Sequence, residues 1–114
     1  MPSIKESEIQ ALIISYLTIN KYVFWRNYVG PKIVNVGTQK RFIKSPMAGL
    51  PDIIGVLKNQ PGRMFAIEIK NAKGRLSELQ TEWVRKLEAA GVLVIVTRNL
   101  DQVIDILVKE EGIK

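Results

Sequence analysis

The chain has 114 residues, no cysteine and no histidine, and a formal net charge of +6. This length predicts one domain, and the missing residue types exclude disulfides, thiolate or imidazole metal ligands and histidine-based catalysis. Any bound metal ion would therefore have oxygen ligands, which favours magnesium, manganese or calcium. Residues 1–44 carry +5, residues 45–75 carry +3 and residues 76–114 carry −2. The positive charge of the first 75 residues suggests a surface that binds a polyanion, although simple solubility explains the charge equally well.

The N-terminal part of the chain predicts a helix and then a strand. Ser3 and Glu6 fit a capping box, so a helix is expected to begin there. Apolar side chains recur at helical spacing through residues 9–17, and the helix is expected to end near Asn20. Residues 22–28 are rich in aromatic and β-branched side chains, which is typical of a strand. Because the N-terminus is polar, no signal peptide is predicted, and the cytoplasm is the expected compartment.

The middle of the chain predicts four further strands. Residues 32–36 and 40–44 resemble the two arms of a hairpin around a Gly-Thr turn. Residues 52–57 form a short apolar run, and a turn separates them from a second run at residues 64–70. Both runs are expected to be strands.

The C-terminal part of the chain predicts a helix, a strand and a helix. Residues 76–90 have helical periodicity, and Gly91 is placed to end that helix. Residues 92–96 are all apolar, which predicts a strand in the middle of a sheet. Residues 101–108 predict the last helix. The order of elements predicts a single α/β domain over residues 1–114, with a mixed sheet flanked by helices and no membrane-spanning segment.

The strand at residues 64–70 carries two charged side chains within the body of the domain. Side chains alternate between the two faces of a strand, so Glu68 and Lys70 share one face while the odd-numbered positions form an apolar face. The simplest explanation is a solvent-exposed face with a surface ion pair, worth about 0–1 kcal/mol. The alternative is a carboxylate and an ammonium group with a chemical role.

Asp52 favours the chemical explanation. It follows Gly49-Leu50-Pro51 and opens the preceding strand, where an aspartate is usually a turn residue. Two neighbouring strands can nevertheless place Asp52 beside Glu68. Adjacent carboxylates repel each other, and a hard divalent cation removes that penalty.

Two further polar positions leave alternatives open. Gln80 falls on the apolar stripe of its helix, and it either forms a capping box with Ser77 or reaches over the carboxylate face. Glu6 falls on the inward stripe of the first helix and either caps that helix or points toward a metal ion. Glu8 lies at the margin of the stripe and is the second choice.

Together these residues resemble the PD-(D/E)xK nuclease superfamily, whose signature corresponds to Pro51-Asp52, then Glu68 and Lys70. The closer resemblance is to the virus-type replication-repair nuclease (VRR-NUC) domain, whose small stand-alone members are often of phage origin. The matching stretches cover nearly the whole chain in the order of the family. They are residues 6–10, 49–55, 67–70, 74–80 and 90–92.

The resemblance implies an αβββαβ core and a divalent-metal nuclease that uses Mg²⁺ or Mn²⁺. The metal ligands that it implies are Asp52, Glu68, the carbonyl of Ile69 and Glu6. The catalytic residues that it implies are Asp52, Glu68, Lys70 and Gln80, with Lys70 contacting the attacking water and the phosphate. The composition is consistent with this chemistry, because metal-assisted phosphodiester hydrolysis needs neither histidine nor cysteine.

A set of basic side chains is expected to contact DNA phosphates, although an ordinary solvated surface also explains it. These residues are Arg26, Lys32, Lys40, Arg41, Lys44, Lys73 and Arg75. Three aromatic residues, Tyr22, Trp25 and Tyr28, are expected in the core or in a dimer contact, and stacking on an exposed base is the alternative.

Three hypotheses about function follow. The first is a structure-selective DNA endonuclease acting on Holliday junctions or other branched DNA, because family members of this size resemble junction resolvases, which act as homodimers. The second is a non-catalytic nucleic-acid-binding module that keeps the nuclease fold. The third is a restriction-type enzyme, although 114 residues leave little room for a target-recognition domain.

Overall fold

A computed structural model of the chain describes residues 4–27, 32–43 and 48–112. The elements of these residues confirm the predicted mixed α/β class. They are, in chain order, α1 (Glu6–Ile19), β1 (Val23–Arg26), β2 (Lys32–Val36), β3 (Gln39–Ile43), β4 (Ile53–Val56), β5 (Met64–Ile69), α2 (Glu78–Ala89), β6 (Leu93–Thr97) and α3 (Leu100–Glu111).

The main sheet has four strands in the order β1-β4-β5-β6. β4 pairs antiparallel with both β1 and β5, whereas β6 runs parallel to β5. β2 and β3 pair with each other in a separate antiparallel ribbon, as the hairpin pattern predicts. A parallel pair needs a crossover connection, which α2 supplies between β5 and β6.

The expectation that β6 lies in the middle of the sheet is wrong. β6 is an edge strand of the main sheet as described, and Val96 on it is 41% exposed. The all-apolar sequence of β6 has a different cause, because both α2 and α3 pack against this strand. Burial by helices, rather than by strands on both sides, therefore explains the apolar run.

The hydrophobic core lies on one face of the main sheet, between the strands and the helices α1 and α3. Its buried sheet residues include Ile53, Phe65, Ile67 and Ile95, and its buried helix residues include Ile13, Leu17, Val103 and Leu107. α2 lies on the other face and has no fully buried residue, so its predicted apolar stripe is only partly covered. None of the helices in the described ranges combines the length and apolar character that a bilayer crossing requires.

The two predicted capping boxes have different outcomes. α1 begins at Glu6 with Lys5 at the N-cap position and no side-chain cap bond, and Ser3 lies outside the described residues. α2 has the predicted box, since the Ser77 hydroxyl accepts a hydrogen bond from the Gln80 amide N–H at 3.1 Å. In return the Gln80 side-chain oxygen accepts from the Ser77 N–H at 2.9 Å. This box fixes the orientation of the Gln80 side chain.

The last helix is longer than predicted, ending at Glu111 instead of Val108. The buried carboxylate of Glu111 accepts hydrogen bonds from the backbone N–H groups of Lys58 and Asn59 at 2.8 and 3.0 Å. It also accepts one from the Tyr22 hydroxyl at 3.2 Å. These donors lie far away in the sequence, so the local pattern of α3 gives no sign of them.

Candidate active site

The pairing of β4 with β5 brings Asp52 next to Glu68. Ile53 lies opposite Ile67 in the antiparallel register, so the preceding residue, Asp52, lies opposite Glu68. The Asp52 carboxylate accepts a hydrogen bond from the backbone N–H of Ile69 at 2.8 Å. Glu68 is only 3% exposed. The predicted neighbourhood of these two carboxylates is therefore present, and a solvent-exposed strand face is excluded for Glu68.

The segment that leads into Asp52 is held from two sides. Gly49 has a φ of +92°, and a Cβ atom on it would lie 2.7 Å from the Leu79 side chain of α2, so only glycine allows this close approach. On the other side, Asn27 donates from its backbone N–H to the Asp52 carbonyl at 2.8 Å. The Asn27 side chain also donates to the Pro51 carbonyl at 2.9 Å. Asp52 is thereby fixed between α2 and the end of β1.

The two carboxyl groups lack sufficient positive charge in their surroundings. Burial raises the pKa of Glu68 to about 8, and the neighbouring charge of Asp52 adds to this shift. Burial also raises the pKa of Asp52, although the hydrogen bond from Ile69 opposes the change. A divalent cation would supply the missing charge, which is the electrostatic property expected of a metal site.

Two donors face the same Glu68 oxygen. The Lys70 ammonium nitrogen lies 4.0 Å from Glu68 Oε1, and the Lys70 side chain is only 14% exposed. The Gln80 side-chain N–H donates to Glu68 Oε1 at 3.0 Å. Gln80 therefore fulfils both predicted alternatives at once, because its amide oxygen caps α2 while its amide nitrogen contacts the carboxylate.

An open cavity of about 200 Å³ adjoins Asp52. α1 contributes one wall, and Glu6, unlike Glu8, lies in it. The opposite wall comes from β5 and from the segment before β4. The lining residues are Glu6, Ser7, Gln10, Asp52 and Ile69.

The acidic residues of the site form a close pair and a separate third member. Within the described ranges, no three side chains of the usual metal-ligating types lie close enough together to form a metal cluster. The close pair is Asp52 and Glu68, and Glu6 lies on the α1 side of the cavity. Magnesium is commonly held in proteins by one or two carboxylates together with waters and substrate phosphate oxygens. This donor set therefore fits a hard divalent cation.

The predicted phosphate contacts are exposed wherever their side chains are described. These residues are Arg26, Lys40, Arg41, Lys73 and Arg75. Lys44 and the side chain of Lys32 lie outside the described residues. Lys73 and Arg75 belong to the loop that joins the strand of Glu68 to the helix of Gln80, so of the predicted phosphate contacts they lie nearest to Glu68 along the chain.

The three aromatic residues separate into different environments. Tyr22 is 7% exposed and packs edge-on against Phe65 at 5.6 Å between ring centroids, so it belongs to the core as predicted. Trp25 is 46% exposed on β1 and is not a core residue. Tyr28 lies outside the described residues.

Four residues near the site were not predicted as site residues, although three of them lie in the stretches that carry the family resemblance. Ser7 and Gln10 line the cavity, and Gln10 follows Glu6 by one helical turn, a spacing that identifies it once Glu6 is chosen. Asn71 and Gly74 lie in the loop after Lys70 and contact Glu6 or approach it closely. An asparagine and a glycine directly after a strand indicate a turn, but its contact with α1 depends on the fold.

Comparison with known proteins gives one match. The family model described as the VRR-NUC domain matches residues 4–99. The matched segment contains all five predicted side chains of the site, from Glu6 on α1 to Gln80 on α2. No curated protein and no solved structure matches the chain.

Proposed function

Since the chain belongs to the VRR-NUC family of nuclease domains, we propose that it is a divalent-metal-dependent endonuclease that hydrolyses phosphodiester bonds in branched DNA. The observation that carries the proposal is the close pair of Asp52 and Glu68 beside an open cavity. Two ionised carboxylates in a partly buried place repel each other, so one of them keeps its proton unless added positive charge compensates the pair. Their presence is therefore readily explained by metal binding.

The ligand set of this proposal consists of Asp52, Glu68 and the backbone carbonyl of Ile69, with Glu6 on the facing wall. A divalent cation held there would supply charge neutralisation at the scissile phosphate and a lowered pKa for a water molecule. Asp52 is preorganised for this role by the N–H of Ile69. Glu68 is preorganised by the side-chain amide of Gln80.

Lys70 and Gln80 have separate tasks in this mechanism. The Lys70 ammonium group lies on the carboxylate face, where a positive charge stabilises the charge that develops on the phosphate during hydrolysis. Its partly buried position strengthens that interaction relative to a lysine in bulk water. Gln80 orients Glu68 and keeps its free oxygen available for the cation.

The preference for branched DNA is proposed from the resemblance of family members of this size to junction resolvases, and the exposed cations suit DNA binding that does not depend on base sequence. Lys73 and Arg75 are exposed beside the site and suit phosphate contacts, which are insensitive to sequence and sensitive to salt. Cleavage of two opposed strands calls for two active sites, so a homodimer belongs to the proposal. Exposed apolar residues on α1 and β1 support a contact there, namely Leu12, Ile19, Val23 and Trp25.

The proposal is tested with a panel of single-stranded, duplex, flap, fork and four-way-junction DNA, incubated with the protein and Mg²⁺ or Mn²⁺. We expect internal cleavage of branched substrates that EDTA abolishes and added metal restores, with Asp52→Ala as the inactive control. DNA binding without metal-dependent cleavage would instead identify a non-catalytic module. Cleavage that persists in EDTA would contradict metal dependence.

A further inference from the structure

The loop after Lys70 contains a tight hydrogen-bonded turn over residues 71–74. The side-chain oxygen of Asn71 accepts hydrogen bonds from the N–H groups of Lys73 and Gly74 at 3.1 and 2.7 Å. The backbone carbonyl of Asn71 also accepts from the Gly74 N–H at 3.2 Å. This is an asparagine-stabilised turn, in which one side chain takes the place of a backbone acceptor. We refer to residues 71–74 as the Asn71 turn.

The Asn71 turn contacts the candidate site. The Asn71 backbone N–H donates to Glu6 Oε1 at 3.3 Å. A Cβ atom on Gly74 would lie 3.2 Å from Glu6 Oε1, from Lys70 Cδ and from the Asn71 side-chain oxygen. The turn therefore approaches Glu6 and the stem of Lys70 closely, and a side chain at position 74 would require these neighbours to move.

The Asn71 turn is also fastened to the sheet. The Arg98 guanidinium, just beyond β6, donates a hydrogen bond to the Asn71 carbonyl. Next to it, the Lys70 N–H donates to the Thr97 carbonyl at 2.9 Å. These bonds fix the turn relative to β5 and β6. The hydrogen bond from the Asn71 N–H to Glu6 connects the turn to α1.

Glu6 needs such a support more than Asp52 and Glu68 do. It is the first residue of α1 and is exposed, whereas the paired carboxylates are held by strands. Among the described residues, the bond from the Asn71 N–H is the one side-chain hydrogen bond that Glu6 makes. An exposed glutamate otherwise retains much of its rotamer freedom, which a metal ion must remove on binding.

We propose that the Asn71 turn is a positioning element of the metal site, which holds Glu6 at the cavity wall opposite Asp52 and thereby sets the affinity for the divalent ion. This inference rests on the proposed function and adds residues 71, 74 and 98 to it. Supporting groups of this kind typically change metal affinity by about 10- to 100-fold when they are removed.

The test is a double-mutant cycle read by calorimetric titration of Mn²⁺ into the protein with an uncleavable DNA present. Asn71→Ala and Glu6→Gln are each expected to weaken Mn²⁺ binding by about 10-fold. If the turn acts through Glu6, the double variant binds no more than about threefold more weakly than Glu6→Gln alone. Losses that multiply to about 100-fold would show that the turn acts elsewhere and would overturn the proposal.

Two more variants keep the test decisive. Asn71→Ser retains a shorter acceptor and is expected to recover part of the affinity. Gly74→Val places a branched side chain where a Cβ atom alone would lie 3.2 Å from Glu6 Oε1, Lys70 Cδ and the Asn71 side-chain oxygen. It is expected to weaken Mn²⁺ binding in the wild-type background but to add little to the loss in Glu6→Ala, even if Asn71→Ala fails to fold. Unchanged affinity in Gly74→Val, or a full further loss when it is combined with Glu6→Ala, would contradict the proposal. A wild-type protein that takes up no Mn²⁺ would contradict the proposed function itself, which separates the two failures.

Discussion

Replacing Glu68 by glutamine is expected to abolish metal-dependent cleavage and to make the metal-free protein more stable above neutral pH. The variant keeps the shape of the side chain and the oxygen that Gln80 contacts, but it removes the charge that repels Asp52. Loss of one metal ligand is expected to lower the cleavage rate by about 10³-fold or more. Removal of a carboxylate that serves function at the expense of stability lowers activity but raises stability. Removal of a carboxylate that stabilises the fold would instead lower stability.

The sign of the pH dependence follows from the raised pKa of Glu68. The folded-state pKa of about 8 exceeds the ordinary value of 4.5, so the folded protein holds this proton more tightly than the unfolded chain does. The stability linked to this proton is fully present below the ordinary pKa. It decreases as the pH rises from there, and it is lost once the pH passes about 8. Above pH 8 or so, the metal-free wild type has therefore lost this stability. Glu68→Gln has no ionisable group at this position and loses none.

Thermal unfolding in EDTA at two pH values measures this effect. We expect Glu68→Gln to gain about 2 kcal/mol over wild type at pH 8.5, or roughly 8 °C in melting temperature, and much less at pH 5. Glu88→Gln on the exposed face of α2 is the matched control and should change neither stability nor cleavage. A glutamine variant that unfolds at a lower temperature than wild type at pH 8.5 would contradict the account of the carboxylate pair.

Replacing Lys70 by alanine is expected to lower the cleavage rate by about 10²- to 10³-fold while the protein stays folded. Lys70 supplies the ammonium group beside Glu68 on the carboxylate face, and its loss removes the positive charge that stabilises the reacting phosphate. Single-turnover cleavage of the preferred substrate measures the effect, and DNA binding measured separately should change little. The reason is that one phosphate contact among several contributes only a part of the affinity.

Lys109 provides the matched lysine control for this experiment. It is exposed on α3, whose inner face packs in the core, so Lys109→Ala should cleave at the wild-type rate. Lys70→Arg retains a positive charge but replaces a compact ammonium by a planar group, and we expect partial activity. A Lys70→Ala protein with unchanged single-turnover rate would remove this lysine from the mechanism.

Most elements of this fold were predictable because their signals are local. Alternation on β5 separates the apolar core face from the face of Glu68 and Lys70, and the structure confirms this division. The capping box at Ser77 and Gln80 was equally local and is present. The helical spacing of residues 9–17 likewise predicted the buried positions Ile9, Ile13 and Leu17 of α1, whereas Leu12 is half exposed and Glu6, placed on the inward stripe, is exposed.

The failures have long-range causes. An apolar run reports how much a strand is buried, but not whether neighbouring strands or helices bury it, and β6 was therefore misplaced in the sheet. The length of α3 depends on donors near Lys58 that no pattern around Glu111 reveals. The contact between the Asn71 turn and Glu6 could not be predicted from local patterns either, because it joins residues 65 positions apart.

The proximity of Asp52 and Glu68 was predictable, but the rest of the geometry of the candidate site was not. The sequence indicated the pair of Asp52 and Glu68 and placed Gln80 near it. It left two roles of Gln80 as alternatives, whereas one amide group fulfils both because its oxygen and nitrogen point to different partners. The position of Glu6 across a cavity, apart from the close pair, required the packing of α1 on the sheet.

The anomalous scattering of Mn²⁺ in crystals grown with that metal and uncleavable DNA would show directly whether Asp52 and Glu68 hold a metal ion. We expect a peak about 2.0–2.6 Å from carboxylate oxygens of both Asp52 and Glu68, the distance range of oxygen ligands to a hard divalent cation. The same peak should be missing in crystals of Asp52→Asn. A peak that contacts neither carboxylate, or no peak at saturating Mn²⁺, would contradict the assignment of this pair as a metal site.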